Sequence, residues 1–285
     1  LKRFKPIQFS DEVEHLVRFV EETDPTVIIE KTLAKLRDGV DPKDMIRGAS
    51  LAVVRSTDLP PEHHGGPVHP VCGVRGVYEM SRRFRGEKAY FPIVQHVALC
   101  NHHVSSPSMG PYIMPEITPM NGLEDESYAC HITYKPPADV SRDVLRTTQD
   151  AFVRNISTRQ ASAAEQYCLW LLERTSPGEV LDLMLPISIA RNNIDDHYFL
   201  YPMFTYRSLD ILGWDWAHVL MRPVVRYMAR LPFAFYELRD SLRYNLIEEL
   251  FEKYKLLDMD IQVDTSDRET EAIGVLSGQI GSRGD

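Results

Sequence analysis

Three times in its first sixty residues the chain repeats one instruction: a capping residue, a first turn carrying acid or proline, then apolar residues at helical spacing. Ser10-Asp11-Glu12 precedes Val13, Leu16, Val17 and Val20; Asp24-Pro25 precedes Val27, Ile28, Leu33 and Leu36; Asp41-Pro42 precedes Met45, Ile46, Ala49, Leu51, Ala52 and Val53. A Ser or Asp oxygen accepts the unsatisfied amides of a first helical turn, and proline there loses no bond. Apolar residues three and four apart share one face, which must be buried against another element. Gly39 is placed to end the second segment. Three such helices joined by short turns predict a helical bundle. Helical patterns return over 141–155, 158–174, 178–190, 194–212, 214–231 and 235–257, so the expected fold is an all-α, multi-helix bundle.

Proline and glycine mark the interruptions. Residues 58–70 hold four prolines and two glycines and read as an ordered or gating loop, with a helix expected from near Val71. Another is expected from Pro92 through His103. Residues 105–138 carry prolines 107, 111, 115, 119, 136 and 137 and form a long central Pro/Gly-rich excursion. A structureless stretch of that length is commonly a lid or a partner-binding segment. Within it 128–134 is read as a strand or extended chain. Beyond Asp260 the chain is polar and aperiodic. The expected organisation is one helical domain over 1–259, containing the 105–138 excursion, and a C-terminal tail or partner-binding arm over 260–285.

A net charge of −9 disfavours a nucleic-acid surface, which is ordinarily basic. Nothing approaches the roughly eighteen apolar residues of a membrane span. The chain is therefore read as cytoplasmic, its first residue being Leu1 rather than methionine. Cys72, Cys100, Cys130 and Cys168 include no Cys-x-x-Cys pair and are read as reduced, mostly buried thiols.

Histidine is the chemical signal. Six of the ten histidines lie between Pro60 and His103. Imidazole has little use as core or helix former, and its usual work is metal ligation and proton transfer. His96, Cys100 and His103 share one helical face, but two turns separate the outer pair by about 10 Å, too far for one ion. Only one of His102 and His103 can face a shared centre. The loop histidines His64 and His69 are free to converge with His96, aided by Gly65-Gly66, and Asp195-Asp196-His197 opens a later helix with a carboxylate beside an imidazole. The ligand candidates are thus His64, His69, His96, His103 and His197, with Glu79 and Asp196 as candidate catalytic carboxylates. Imidazole suits iron, zinc and copper alike. Paired Glu-x-x-His and His-Glu-x-x-His motifs are absent, which disfavours di-iron and zincin centres and leaves a mononuclear, histidine-rich iron site in a helical bundle.

Three stretches resemble the questin oxidase-like family: His69-Pro70-Val71-Cys72-Gly73-Val74 followed by Tyr78-Glu79; the helix entry over 46–54; and 196–231 with its histidine, Gly213-Trp214 and Arg222-Pro223-Val224-Val225-Arg226-Tyr227. The resemblance implies an all-helical non-haem iron oxygenase that oxidises aromatic polyketides, with His69, His96 and His197 as ligands.

The expected function is therefore a metal-dependent oxidoreductase, an iron oxygenase acting on an aromatic or apolar small molecule, with Tyr78, Tyr201, Phe204, Trp214 and Trp216 available to line its pocket. A metal-dependent hydrolase using Glu79 or Asp196 as general base is one alternative. A non-catalytic oligomer subunit, gripping protein partners through 105–138 and 260–285, is another.

Overall fold

The computed structural model describes residues 5–58, 65–110, 112–123, 141–191, 196–230, 249–250 and 252–255. The chain divides into two compact units, Leu1–Leu238 and Arg239–Asp285. The long helices among the described residues belong to the first. They are α1 (Asp11–Glu22), α2 (Ile28–Arg37), α3 (Pro42–Ser56), α4 (Val68–Arg83), α5 (Phe91–Ser105), α6 (Arg142–Ser157), α7 (Ala161–Arg174), α8 (Pro177–Arg191) and α9 (His197–Leu212). The short α10 (Ala217–Leu220) and α11 (Arg222–Met228) follow, and 3-10 turns occupy Gly86–Tyr90, Pro107–Met109 and Trp214–Trp216. Among the described residues there is no strand, only an isolated bridge between Pro6 and Pro115. The all-α expectation is met. Residues 128–134 and 260–285, where a strand and a tail were expected, lie outside the described residues.

The bundle is organised around α3. Asp41 caps it as its position in the sequence suggested, its carboxylate accepting from the amides of Lys43 and Asp44 at 2.7 and 3.4 Å. Every residue from Gly48 to Arg55 is buried. Helices α1, α4, α5 and α9 pack around it. At Gly48 a side chain would meet the Leu16 Cβ at 2.6 Å, so glycine sets how closely α1 can cross α3. Arg55 closes the crossing with carboxylate contacts at 2.6–2.7 Å to Glu21 and Glu14, and its guanidinium stacks on Phe9. Burial alone would depress the Arg55 pKa, but the bonds to Glu21 and Glu14 outweigh it and hold the guanidinium charged.

Two expectations need correction. The helix containing His69 begins at Val68, so His69 and Pro70 sit in its first turn and not in the preceding loop. Proline is tolerated there because first-turn amides have no intrahelical partner. The continuous helix expected over 214–231 is instead a 3-10 turn followed by α10 and α11. Pro223 has no N–H to continue the ladder, and it starts α11 as one of its first two residues.

The described part of the central excursion is strapped to the domain. Met109, Met114 and Met120 are buried. The Met114 amide donates to Arg55 O and its carbonyl accepts from the Ile7 amide, at 2.8 and 2.9 Å; the Met120 amide donates to Gln166 O at 3.1 Å. Residues 112–123 therefore form part of the wall of the domain.

A histidine–tyrosine cluster as candidate metal centre

Helices α4 and α9 run parallel. His69 of α4 meets His197 and Tyr201 of α9, Cys72 meets Thr205 (3.5 Å), and Arg75 meets Asp210 (3.8 Å). This alignment brings both helix N-termini to one end. His197 and Tyr201 stand four residues apart and share a face. His69 Nε2 lies 3.0 Å from His197 Nε2 and 2.9 Å from the Tyr201 hydroxyl. Tyr201 is 1% exposed, whereas His69 faces solvent and His197 is half-buried. Tyr227 of α11 packs edge-on against Tyr201 at 4.7 Å between ring centroids, and Tyr198 lies 5.1 Å beyond it.

The turn into α4 seats the hydroxyl. Gly65 has φ +111° and Gly66 φ +41°, both in the left-handed region that favours glycine. A Cβ on Gly65 would fall 1.6 Å from the Tyr201 oxygen. The phenol is thus held between glycine backbone, imidazole and the Tyr227 ring. Burial raises its pKa well above the ordinary tyrosine value, with smaller contributions from the charges of Tyr227, Cys72 and Asp196. Burial likewise raises Tyr227, and pushes the Cys72 thiol up to about 12 despite its bonds to Thr205.

An ion held at about 2.0–2.1 Å by two imidazoles, with a ligand angle of about 90–110°, sets the nitrogens about 2.8–3.4 Å apart. The 3.0 Å between His69 and His197 Nε2 falls in that interval, as does the 2.9 Å between His69 Nε2 and the Tyr201 oxygen. These three atoms are the candidate donor set. Among the described residues no three His, Cys, Asp or Glu side chains form such a group. The third donor is a phenol.

The remaining candidates are elsewhere. His96 is 3% exposed in the heart of α5, with Nε2 3.2 Å from Ser50 Oγ and 3.7 Å from Cys100 Sγ. It does not join His69 and His197, because α5 is enclosed by α1 through α4 and apolar Ile93, Val94 and Val97 carry it into the core. His103 turns its Nδ1 onto Leu99 O at 2.9 Å, two helical turns from His96. Glu79 lies on the outer part of α4, 4.0 Å from Arg82. Asp196 is exposed immediately before His197, near enough for its charge to act on Tyr201. His64 precedes Gly65 in sequence and lies outside the described residues. Tyr201 had been read only as pocket lining. The signal that identifies it is its spacing, one turn after His197 on the same face.

His96 should instead make the fold less stable in acid. Burial lowers its pKa to about 4, against a weaker opposing bond to the Ile46 backbone. The folded chain then binds fewer protons than the unfolded chain below pH 6.5. Stability is full above that pH and is lost as pH falls toward about 4, by on the order of 3 kcal/mol. Urea midpoints between pH 7 and 4.5 should fall with this slope in the native chain, and His96→Gln should flatten it.

The three free cysteines described, Cys72, Cys100 and Cys168, all have thiols whose pKa burial raises, which argues against an activated thiolate at Cys100 beside His96.

No protein-family model, no curated protein and no solved structure matches this chain. No helix among the described residues is long and apolar enough to cross a membrane.

Proposed function

We propose that the chain is a metal-dependent oxidoreductase, a mononuclear non-haem iron oxygenase acting on an aromatic or apolar small molecule, with its centre on His69, His197 and Tyr201. The observation that supports this most directly is the approach of a second imidazole nitrogen and a buried phenol oxygen within 3.0 Å of His69 Nε2. Two imidazoles alone would suit zinc or copper equally, but a phenolate is a hard anionic donor and weights the set toward ferric ion. Iron bound there supplies redox chemistry with dioxygen as oxidant.

The chain's own contributions follow from the geometry. His69 and His197 would hold the ion through Nε2. Tyr201 would bind as the phenolate, its proton leaving to solvent, so metal uptake should release protons and weaken in acid. The parallel N-termini of α4 and α9 favour negative oxygen at this end of the helices. Tyr198 and Tyr227 give the centre a buried aromatic wall, and the open side at His69 is the side available to a substrate. Asp196, exposed beside His197, is a carboxylate available for moving a proton.

Elemental analysis and the visible spectrum of purified protein test this. The expected result is about one iron per chain with a phenolate-to-metal charge-transfer band. Tyr201→Phe should lose the band while retaining some metal, and His69→Ala or His197→Ala should lose the metal. Stoichiometric zinc with oxygen-independent turnover would establish the hydrolytic reading, with Asp196 as base. A metal-free protein in which His69→Ala changes nothing spectroscopic would reduce the cluster to a hydrogen bond between one protonated and one bare imidazole nitrogen.

A further inference from the structure

A second concavity lies apart from the histidine cluster, between α7, the start of α8 and the turn that follows α9. Its volume is about 490 Å³, within the range of small-molecule sites. Leu169 and Leu172 line it from α7, Trp214 and Asp215 from the turn, and His218 from α10.

The turn is pre-organised. Gly213, at φ +102°, reverses the chain out of α9. The Trp214 indole N–H donates to Asp210 at 3.2 Å, and its ring is braced edge-on by Tyr206 at 4.8 Å between centroids. His218 donates from Nδ1 to Asp215 O at 2.7 Å and stacks on Trp216. That bond fixes the tautomer, so the neutral ring keeps an accepting lone pair on Nε2.

The charge of the lining has one sign. Glu173 and Asp215 contribute carboxylates, and among the described lining residues there is no Lys or Arg. Glu173 is shared with neighbouring Arg174, whose guanidinium is drawn back over the Trp170 ring. Asp215 is exposed. An indole held in place, a carboxylate beside it and aliphatic walls form the environment that stabilises a weakly hydrated organic cation. Inorganic cations would gain nothing from the aliphatic walls, and anions would meet only acceptors.

We propose that this cleft is a binding site for an organic ammonium ion carried on an apolar body, the cation set against Trp214 and Asp215 and the body along Leu169 and Leu172. It does not depend on the metal centre.

Calorimetric titration with benzyltrimethylammonium, benzyl alcohol and phenylacetate tests it, with the Trp214 indole N–H followed by NMR. The ammonium ion should bind at least about fivefold more tightly than the alcohol, the increment of one partly desolvated cation–π contact. Phenylacetate should not bind, and the Trp214 resonance should shift only with the cation. Asp215→Asn, an exposed isosteric change, and Trp214→Leu should each remove most of that preference. His69→Ala should leave it intact. Equal binding of alcohol and cation, an unchanged preference in Asp215→Asn, or no binding of the cation would each overturn the proposal.

Discussion

Glu165→Ala is expected to cost about 3–5 kcal/mol of stability. Glu165 of α7 and Arg222 of α11 form an ion pair at 2.7 Å with side chains only 6% and 3% exposed. Arg226 leans on the same carboxylate at 3.4 Å. Arg222 also donates to Pro115 O at 2.7 Å, pinning the central excursion to the bundle. Without Glu165, the Arg222 guanidinium has no buried carboxylate, while Arg226 retains Asp58 at 3.4 Å. Equilibrium urea denaturation of the single variant measures the loss. The double variant Glu165→Leu with Arg222→Met removes both charges together and should recover most of it. If the single variant stays within 1 kcal/mol of the native protein, the pair does not hold α7 to α11 as described.

Gly65→Ala should leave the bundle folded and disable the centre. The backbone there is left-handed, which costs an L-residue about 1–2 kcal/mol, and the new methyl would occupy the position of the Tyr201 hydroxyl. Tyr201 is fully enclosed and can yield only by rotating away from His69, or by shifting the turn that starts α4. Either movement separates the phenol from the imidazoles. Metal affinity should fall about 10–100-fold, as it does when the groups orienting a ligand are lost. Metal titration followed by the charge-transfer band measures this, and circular dichroism checks the fold. Undiminished affinity would show that Tyr201 is not a donor.

Much of the bundle was legible because its signals are local. The Asp41 cap, the Gly39 break and the apolar stripes of α1 to α3 are read from a few consecutive residues, and each appears in the structure. The division of 214–231 was less legible, since apolar spacing continues through Pro223 and only the missing amide interrupts it. The candidate centre was half legible. His69 stood out in a proline–glycine loop and His197 at a helix start, but their pairing spans 128 residues and depends on α4 and α9 running parallel. His96 looked equally chemical in sequence. Its apolar neighbours Ile93, Val94 and Val97 were the sign that it belongs to the core. Tyr201 went unweighted as a donor because tyrosine is a common packing residue, and only the glycine turn and the imidazole around its oxygen distinguish it.

The enclosure of α3 also has a consequence for synthesis. This helix has no polar stripe over Gly48–Arg55, so it cannot rest on solvent while awaiting its partners. Apart from α1, its covering helices emerge later: α5 ends at Ser105, α9 at Leu212 and α10 at Leu220, which is 164 residues beyond Ser56. At ribosomal rates of about 5–20 residues per second the segment waits roughly 8–30 s for its last neighbour. During that interval it is the stretch of nascent chain most open to chaperone capture and self-association. Once enclosed, its amides should be the slowest in the protein to exchange with deuterium, requiring global opening.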